Sequence, residues 1–420
     1  MRSIYFIPIV AVALALVPNP ARAGGSISKV SSTKVSLAVV HARVIPAWAR
    51  KYNMNCSGCH YPTVPRLNAT GLAFKWAGYR KPDEIGKNME VKKIEDYLSA
   101  RLIAHQTYTK TEGSPADTNS FSVPSASLFV AGGIGTNYGA FIEFERTPDG
   151  AVDLIGQVGA VWGKEDAFGG VRFGQGHLLV GGAVAGFDRP TGILGPLALS
   201  EPTTPGIPFS FAGDIAGAEA FYVFGGMNRT SVALANGFKG GGAGMGATRS
   251  PTSYDVAVTN QLMLDDLGAS LAAIGYFGSV RGLDVAQVDL NSRYYRIGVS
   301  ANKFVGPFEG QAGYVYSGNS RLPTGADSPF ATSSISGNGY WLYGGYTVKP
   351  TFWTLYGRYE VVDPNRALSD DALRRVVLGS VLPVNVPEYL RLGLEYFRDT
   401  PQGTGTLVRQ GARAEIHIAY

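Results

Sequence analysis

Only two cysteines occur in the 420 residues, at Cys56 and Cys59, so a disulfide-stapled framework is excluded. Charge is sparse as well, with Asp, Glu, Lys and Arg together at 16%, which leaves no charge block of the kind that grips a polyanion. Beyond the first two dozen residues no stretch reaches about 18 consecutive apolar residues, so no membrane-spanning helix is expected. There is no P-loop, no dinucleotide fingerprint and no Ser/His/Asp constellation. The run Gly240-Gly241-Gly242 lacks the strand and helix that would let it hold a phosphate and reads as a turn. Nothing points to nucleic acid.

What is present begins with an export signal. Arg2 is followed by an apolar run from Ile4 to Val17 and by Ala21-Arg22-Ala23, an A-x-A-like cleavage site. Residues 1–23 are therefore expected to be a signal peptide, with the mature chain starting near Gly24 outside the cytoplasm. The two cysteines then fall together in Cys56-Ser57-Gly58-Cys59-His60, the C-x-x-C-H spacing of covalent c-type haem attachment. Two thiols three residues apart reach two vinyl groups on one porphyrin edge, and the next residue, His60, supplies an imidazole to the iron. Ser57 and Gly58 are small enough for the porphyrin to lie close. A thioredoxin-like disulfide would want a βαβ context, and a zinc site would want a second ligand pair; neither is visible.

Around the motif, Pro46 to Tyr52 reads as a helical turn, and Leu67 to Trp76 has helical spacing with Leu67, Gly71 and Phe74 on one face. The sixth iron ligand is open. Met89, 29 residues past His60, is the favoured candidate, returning over the distal side, ahead of His41 from upstream or an open site; Met/His ligation raises the potential. Met54 is too near Cys56 to reach the far face. Residues 24–97 hold 12 Lys and Arg against 5 Asp and Glu, which suits two haem propionates as well as a plain solvated face. Residues 98–420 hold 23 against 27.

From Leu98 the pattern becomes period 2. In the last segment Ala412, Ala414, Ile416, Ile418 and Tyr420 share one face and Arg413, Glu415 and His417 the other, as a strand between lipid and a polar lumen requires. Sixteen or seventeen such segments recur from 99–110 to 407–420, with 177–186 among them. Bacterial single-chain barrels have even strand numbers, so sixteen are expected. The 55 glycines, 22 tyrosines and 20 phenylalanines suit this class. The Pro/Gly/Ser-rich stretches 187–217 and 318–339 are expected to be surface loops, and Trp341, Tyr343, Phe352 and Tyr356 to form lipid-facing girdles. The expected fold is all-β: a transmembrane antiparallel barrel spanning 98–420, with a small, mostly helical or irregular haem module (24–97) in a lumen wide enough to hold it. The acid groups Asp265-Asp266, Asp370-Asp371 and Asp214/Glu219 could bind Fe(II) weakly through hard oxygen ligands, but a solvated loop or lumen face is the expected reading and no substrate site is assigned to them.

The stretch Pro46-x-Trp48-Ala49-Arg50, Cys56-x-x-Cys59-His60, Pro65-x-Leu67-Asn68-x-x-Gly71-x-x-Phe74-Lys75 and Gly78-Tyr79 resembles the fused monohaem cytochrome–porin family, whose best-known members are outer-membrane iron oxidases of Fe(II)-oxidising bacteria. The resemblance covers roughly 35 residues. It implies one covalent haem c on Cys56 and Cys59 with His60 as iron ligand, and an outer-membrane location with the haem module in the lumen or on its periplasmic side. It further implies extracellular Fe(II) or another reductant as electron donor and a periplasmic c-type cytochrome or similar carrier as acceptor, an iron:cytochrome oxidoreductase activity. The chain departs from the iron oxidases at Tyr61-Pro62-Thr63-Val64, where those members carry a more aromatic run. That departure leaves the donor open, along with two alternatives: a haem-plugged solute porin, and electron transfer outward to external acceptors.

Overall fold

The computed structural model describes residues 47–61, 66–146, 150–175, 192–200, 203, 211, 215–236, 255–264, 268–283, 289–320, 334–349, 351–384, 390–403 and 406–419. The expected signal peptide, His41, His177, the 177–186 segment, Asp214, Asp265-Asp266 and the Gly240 run lie outside these residues.

Two short helices open the described chain, α1 (Ala47–Tyr52) and α2 (Ala69–Trp76), with a 3-10 turn between them over Cys56–Gly58. The barrel follows: β1 (Leu98–Thr111), β2 (Thr118–Ile134), β3 (Tyr138–Arg146), β4 (Val152–Lys164) and β5 (Ala167–Gln175) precede a short helix α3 (Leu197–Ser200). Then come β6 (Ala216–Phe224), β7 (Asn228–Asn236), β8 (Asp255–Leu264), β9 (Ala269–Leu283), β10 (Asp289–Val305) and β11 (Phe308–Asn319). The last strands are β12 (Ile335–Val348), β13 (Trp353–Asp363), β14 (Leu373–Val384), β15 (Leu390–Pro401) and β16 (Arg409–Ala419). Each pairs antiparallel with its sequence neighbours, and β1 closes onto β16, giving sixteen strands and no free edge.

Alternation explains the two faces. Leu154, Val158, Phe173, Val232, Leu234, Leu342 and Leu394 point outward and are exposed, a continuous apolar surface that a bilayer covers. Glu143, Gln157, Arg172, Glu219, Arg229, Arg358 and Glu395 point inward and are buried. Arg413, Glu415 and His417 face the lumen as the sequence pattern requires, the latter two buried. Strands β2 and β3, β4 and β5, β6 and β7, β10 and β11, and β12 and β13 are joined by short turns at one end, where the chain also enters β1. In bacterial outer-membrane barrels the short turns are periplasmic. Exposed Tyr138, Trp162, Phe224, Phe308, Tyr346 and Trp353 ring this end.

Two expectations are corrected. Trp341, Tyr343 and Tyr356 are buried inside the barrel, not lipid-facing; Phe352 sits in the turn between β12 and β13. Their rings lie over glycines on the neighbouring strands: Trp341 on Gly313 and Tyr356 on Gly379, each directly opposite in register. An added Cβ at either glycine would collide with the ring, which is one use the wall makes of its glycine. The second correction concerns 187–217. Its described part turns into the lumen, with Leu197, Ala198, Leu199, Phe211 and Ile215 buried against Ala233, Ala257, Tyr276, Tyr294 and Trp341. Of 318–339, the flanks belong to β11 and β12.

Candidate functional site

The Cys56–His60 stretch folds as a single tight turn. The backbone N–H groups of Cys59 (3.1 Å) and His60 (2.8 Å) both donate to the Cys56 carbonyl. In 3-10 geometry residues i and i+3 eclipse, so Cys56 and Cys59 project to one side. Both are partly exposed. Burial pushes the Cys59 thiol up, against the opposing pull of the Lys81 ammonium. Gly58 lies close to Met54: a Cβ there would sit 2.7 Å from Cε of Met54, whose flexible end would have to turn aside.

Helix α2 buttresses the turn. Asn68 caps the helix by accepting the Gly71 N–H at 3.0 Å. Its side-chain amide donates to the Ser57 carbonyl at 3.1 Å, and its backbone N–H donates to the Cys59 carbonyl at 2.9 Å. One asparagine thus starts the helix and fixes the motif to it. Beyond His60 the chain forms a small ribbon, with His60 bridged antiparallel to Leu67 and the Tyr61 N–H donating to the Arg66 carbonyl at 3.0 Å.

This segment is anchored to the inner wall on several sides. Tyr61 stacks on Phe304 of β10 with 4.5 Å between ring centroids, and the Arg66 guanidinium lies over both rings, 4.8 and 5.4 Å away. Arg66 also pairs with Glu309 of β11, and burial pushes its guanidinium down to about 10, still a cation at neutral pH. On another side Trp48 stacks on Tyr79 (5.3 Å) and Tyr79 on Phe141 of β3 (5.5 Å). Trp48 donates its indole N–H to Ala131 of β2 at 3.2 Å, and Tyr79 bonds Gln157 of β4. The buried Arg80 reaches the carbonyls of Thr136 (2.6 Å) and Tyr138 (2.5 Å) around the β2–β3 turn. Arg172 of β5 donates to the carbonyls of Lys75 and Trp76, the C-terminal end of α2. Leu72, Trp76 and Ala77 pack against Val161, Phe168, Phe221, Val223, Met263 and Ala272.

The candidate residues are only partly brought together. Cys56, Cys59 and His60 form one site. Met89 makes an antiparallel bridge with Gly135 in the β2–β3 turn, N–H to carbonyl at 2.9 and 3.0 Å. That turn and the β10–β11 turn beside Tyr61 are eight strands apart in a cycle of sixteen, on opposite walls. With strands about 4.8 Å apart, the walls face each other across roughly 25–30 Å. His105 and Arg391 are spent on Glu415 in the wall. Sequence reading did not single out Arg66, Arg80 or Glu309; Asn68 stood in the motif stretch, and its place before a helical pattern signals the cap.

Elsewhere the inner wall is charge-balanced. Glu143 pairs with Arg101, Glu219 with Arg229, Glu360 with Arg358 and Asp399 with Arg375. Among the described residues no group of three or more His, Cys, Asp or Glu could hold a metal ion. The inserted segment is held by the same charges: Glu395 accepts the N–H groups of Ile193 (2.9 Å) and Leu194 (2.8 Å), and Glu360 that of Leu197 (2.6 Å).

A closed sixteen-stranded antiparallel barrel is the architecture of outer-membrane barrels. Solved structures bear this out at the level of fold. The chain is similar to the anion-selective porin from Comamonas acidovorans, with TM-score 0.54 and 12% identity over 77% of this chain and 98% of that one. It is similar to OmpT, an outer membrane protein of Vibrio cholerae (TM-score 0.52, 14% identity, 77% and 96% covered). The outer membrane channel DcaP of Acinetobacter baumannii gives TM-score 0.52 and 13% identity over 77% and 96%. The matched share of this chain is about the fraction that runs from Leu98 onward. No protein-family model and no curated protein matches the sequence.

Proposed function

We propose that this chain is an outer-membrane electron conduit. In this reading the porin-type barrel encloses an N-terminal module carrying one haem c on Cys56 and Cys59, with His60 as iron ligand. Electrons enter from an external reductant of the Fe(II) class and leave to a periplasmic c-type cytochrome or a similar carrier. The observation that carries the reading is the Cys56–His60 turn: both thiols lie on one side, His60 follows directly, and the turn is braced by Asn68 and tied to the barrel through Tyr61 and Arg66. The residues present therefore fit the group. When bound, the haem supplies a one-electron redox centre inside a wall that the apolar outer face seals from lipid. The protein's part is to hold His60, exclude solvent with α2 and the wall, and keep the centre near the short-turn end. Met89 could complete the coordination only through a side chain reaching back from the Gly135 wall; Met89→Ala should then change the visible spectrum.

The competing reading is a solute porin with a structural plug, and the fold likeness to an anion-selective porin supports it. Two measurements separate them. Haem staining on a denaturing gel should mark the wild type and not the Cys56→Ala/Cys59→Ala variant. Anaerobic Fe(II) should produce a reduced-haem spectrum in the purified protein. Ionic conductance across a planar bilayer, together with no haem stain, would establish the porin reading instead.

A further inference from the structure

Resting on the haem reading, we propose that the Arg66–Glu309 pair is a positioning link, through which the barrel wall fixes His60 and sets the charge felt by the iron. The ribbon geometry motivates this. Side chains alternate across an extended ribbon, so His60 and Leu67 share one face while Tyr61 and Arg66 share the other. The second face is the one that meets the wall, through the Tyr61–Phe304 stack and the guanidinium above it. Any shift of Arg66 is thereby passed to the backbone that carries His60.

The receiving socket is built by the barrel alone. Glu309 accepts from the side-chain amides of Asn302 (2.9 Å) and Gln311 (2.7 Å), so its carboxylate is oriented before the module arrives. Arg66 is 1% and Glu309 7% exposed. A charge there is poorly screened and acts over a longer range than one at the surface. As a pair the two nearly cancel at the iron. Removing the carboxylate leaves an uncompensated buried cation beside the site, which favours the reduced, less positive haem.

The test is redox titration of the purified holoprotein. Glu309→Gln should retain covalent haem and shift the midpoint potential upward. Arg66→Gln added to it should bring the potential back toward the wild-type value, since the cation is then gone as well. Tyr61→Leu, which loosens the same contact without changing charge, should not reproduce the upward shift. If Glu309→Gln does not give a heat-modifiable barrel, Arg66→Gln alone reads the same pair with opposite sign, because it leaves the carboxylate without its cation, and it should lower the potential. An unchanged potential in the folded variant, or a shift of the same sign in the single and double variants with no return, overturns the link while leaving the haem reading intact. A wild-type chain without covalent haem overturns the reading and the link together, and haem staining tells the two failures apart.

Discussion

Gly71→Ala is the substitution that most directly tests how the motif is held. Gly71 lies in the first turn of α2, where alanine is ordinarily favoured over glycine by about 1 kcal/mol. Here a Cβ would fall inside contact distance of the Cys59 carbonyl oxygen, 3.1 Å from its carbonyl carbon and 2.9 Å from Cδ2 of Leu67. The leucine can turn aside, but the carbonyl is backbone and already accepts the Asn68 N–H. Relief must therefore separate α2 from the turn. Overpacking of this kind costs about 1–3 kcal/mol, and breaking the Asn68 contact adds about 1 kcal/mol. After the propensity gain, a net loss of about 1–3 kcal/mol is expected, confined to the N-terminal segment. Limited proteolysis in detergent should cut residues 47–97 faster, with unchanged heat-modifiability of the barrel. Thr70→Ala, one residue earlier and exposed, is the control and should change nothing. If Gly71→Ala resists protease as well as the wild type or better, close packing of α2 on the motif is wrong.

Arg80→Ala should release the module from the β2–β3 turn, at a loss of at least about 3 kcal/mol because several buried carbonyls lose a charged donor. Arg80→Lys should rescue little, since an ammonium cannot span the same carbonyls; protease sensitivity reads both. In haem-free protein, Cys59 should alkylate slowly at pH 8 and faster only above the ordinary thiol range. Burial raises its pKa, so the neutral form is retained on folding, and stability present below the unfolded value is lost as pH rises through the folded one. A normal alkylation profile in that form would count against the buried turn. Gly192→Ala should loosen the inserted segment, because Gly192 has φ of +133° and a Cβ there would lie 2.7 Å from Oε1 of Glu395. Raised bilayer conductance is the expected readout, and no change would mean that the segment does not narrow the pore.

The barrel was legible because strand alternation is a local property. Arg413, Glu415 and His417 mark the lumen face of β16 by their charge, and no tertiary information is needed to see it. The Cys56–His60 stretch was legible for a similar reason: its residues lie within one turn, and the capping Asn68 with the helix it opens follows shortly after in the chain. In β12 the local code fails. Residues 335–348 carry no charge, so period 2 fixes two faces without saying which is inside. Register decides it: Trp341 stands opposite Glu360 and Tyr343 opposite Arg358, and partners directly across a sheet share a face. The inserted 192–200 segment is decided in the same way, by Glu360 and Glu395 lying more than 160 positions away. Arg66 and Glu309 are another such case, a pair brought together only when the N-terminal segment seats against the inner wall. Sequence by itself determined the period, the strand number and the spacing of the Cys56–His60 motif. Only the tertiary structure decided which face of an uncharged strand such as β12 turns inward and what each buried charge meets, because those partners are fixed by register and packing around the barrel and not by distance along the chain.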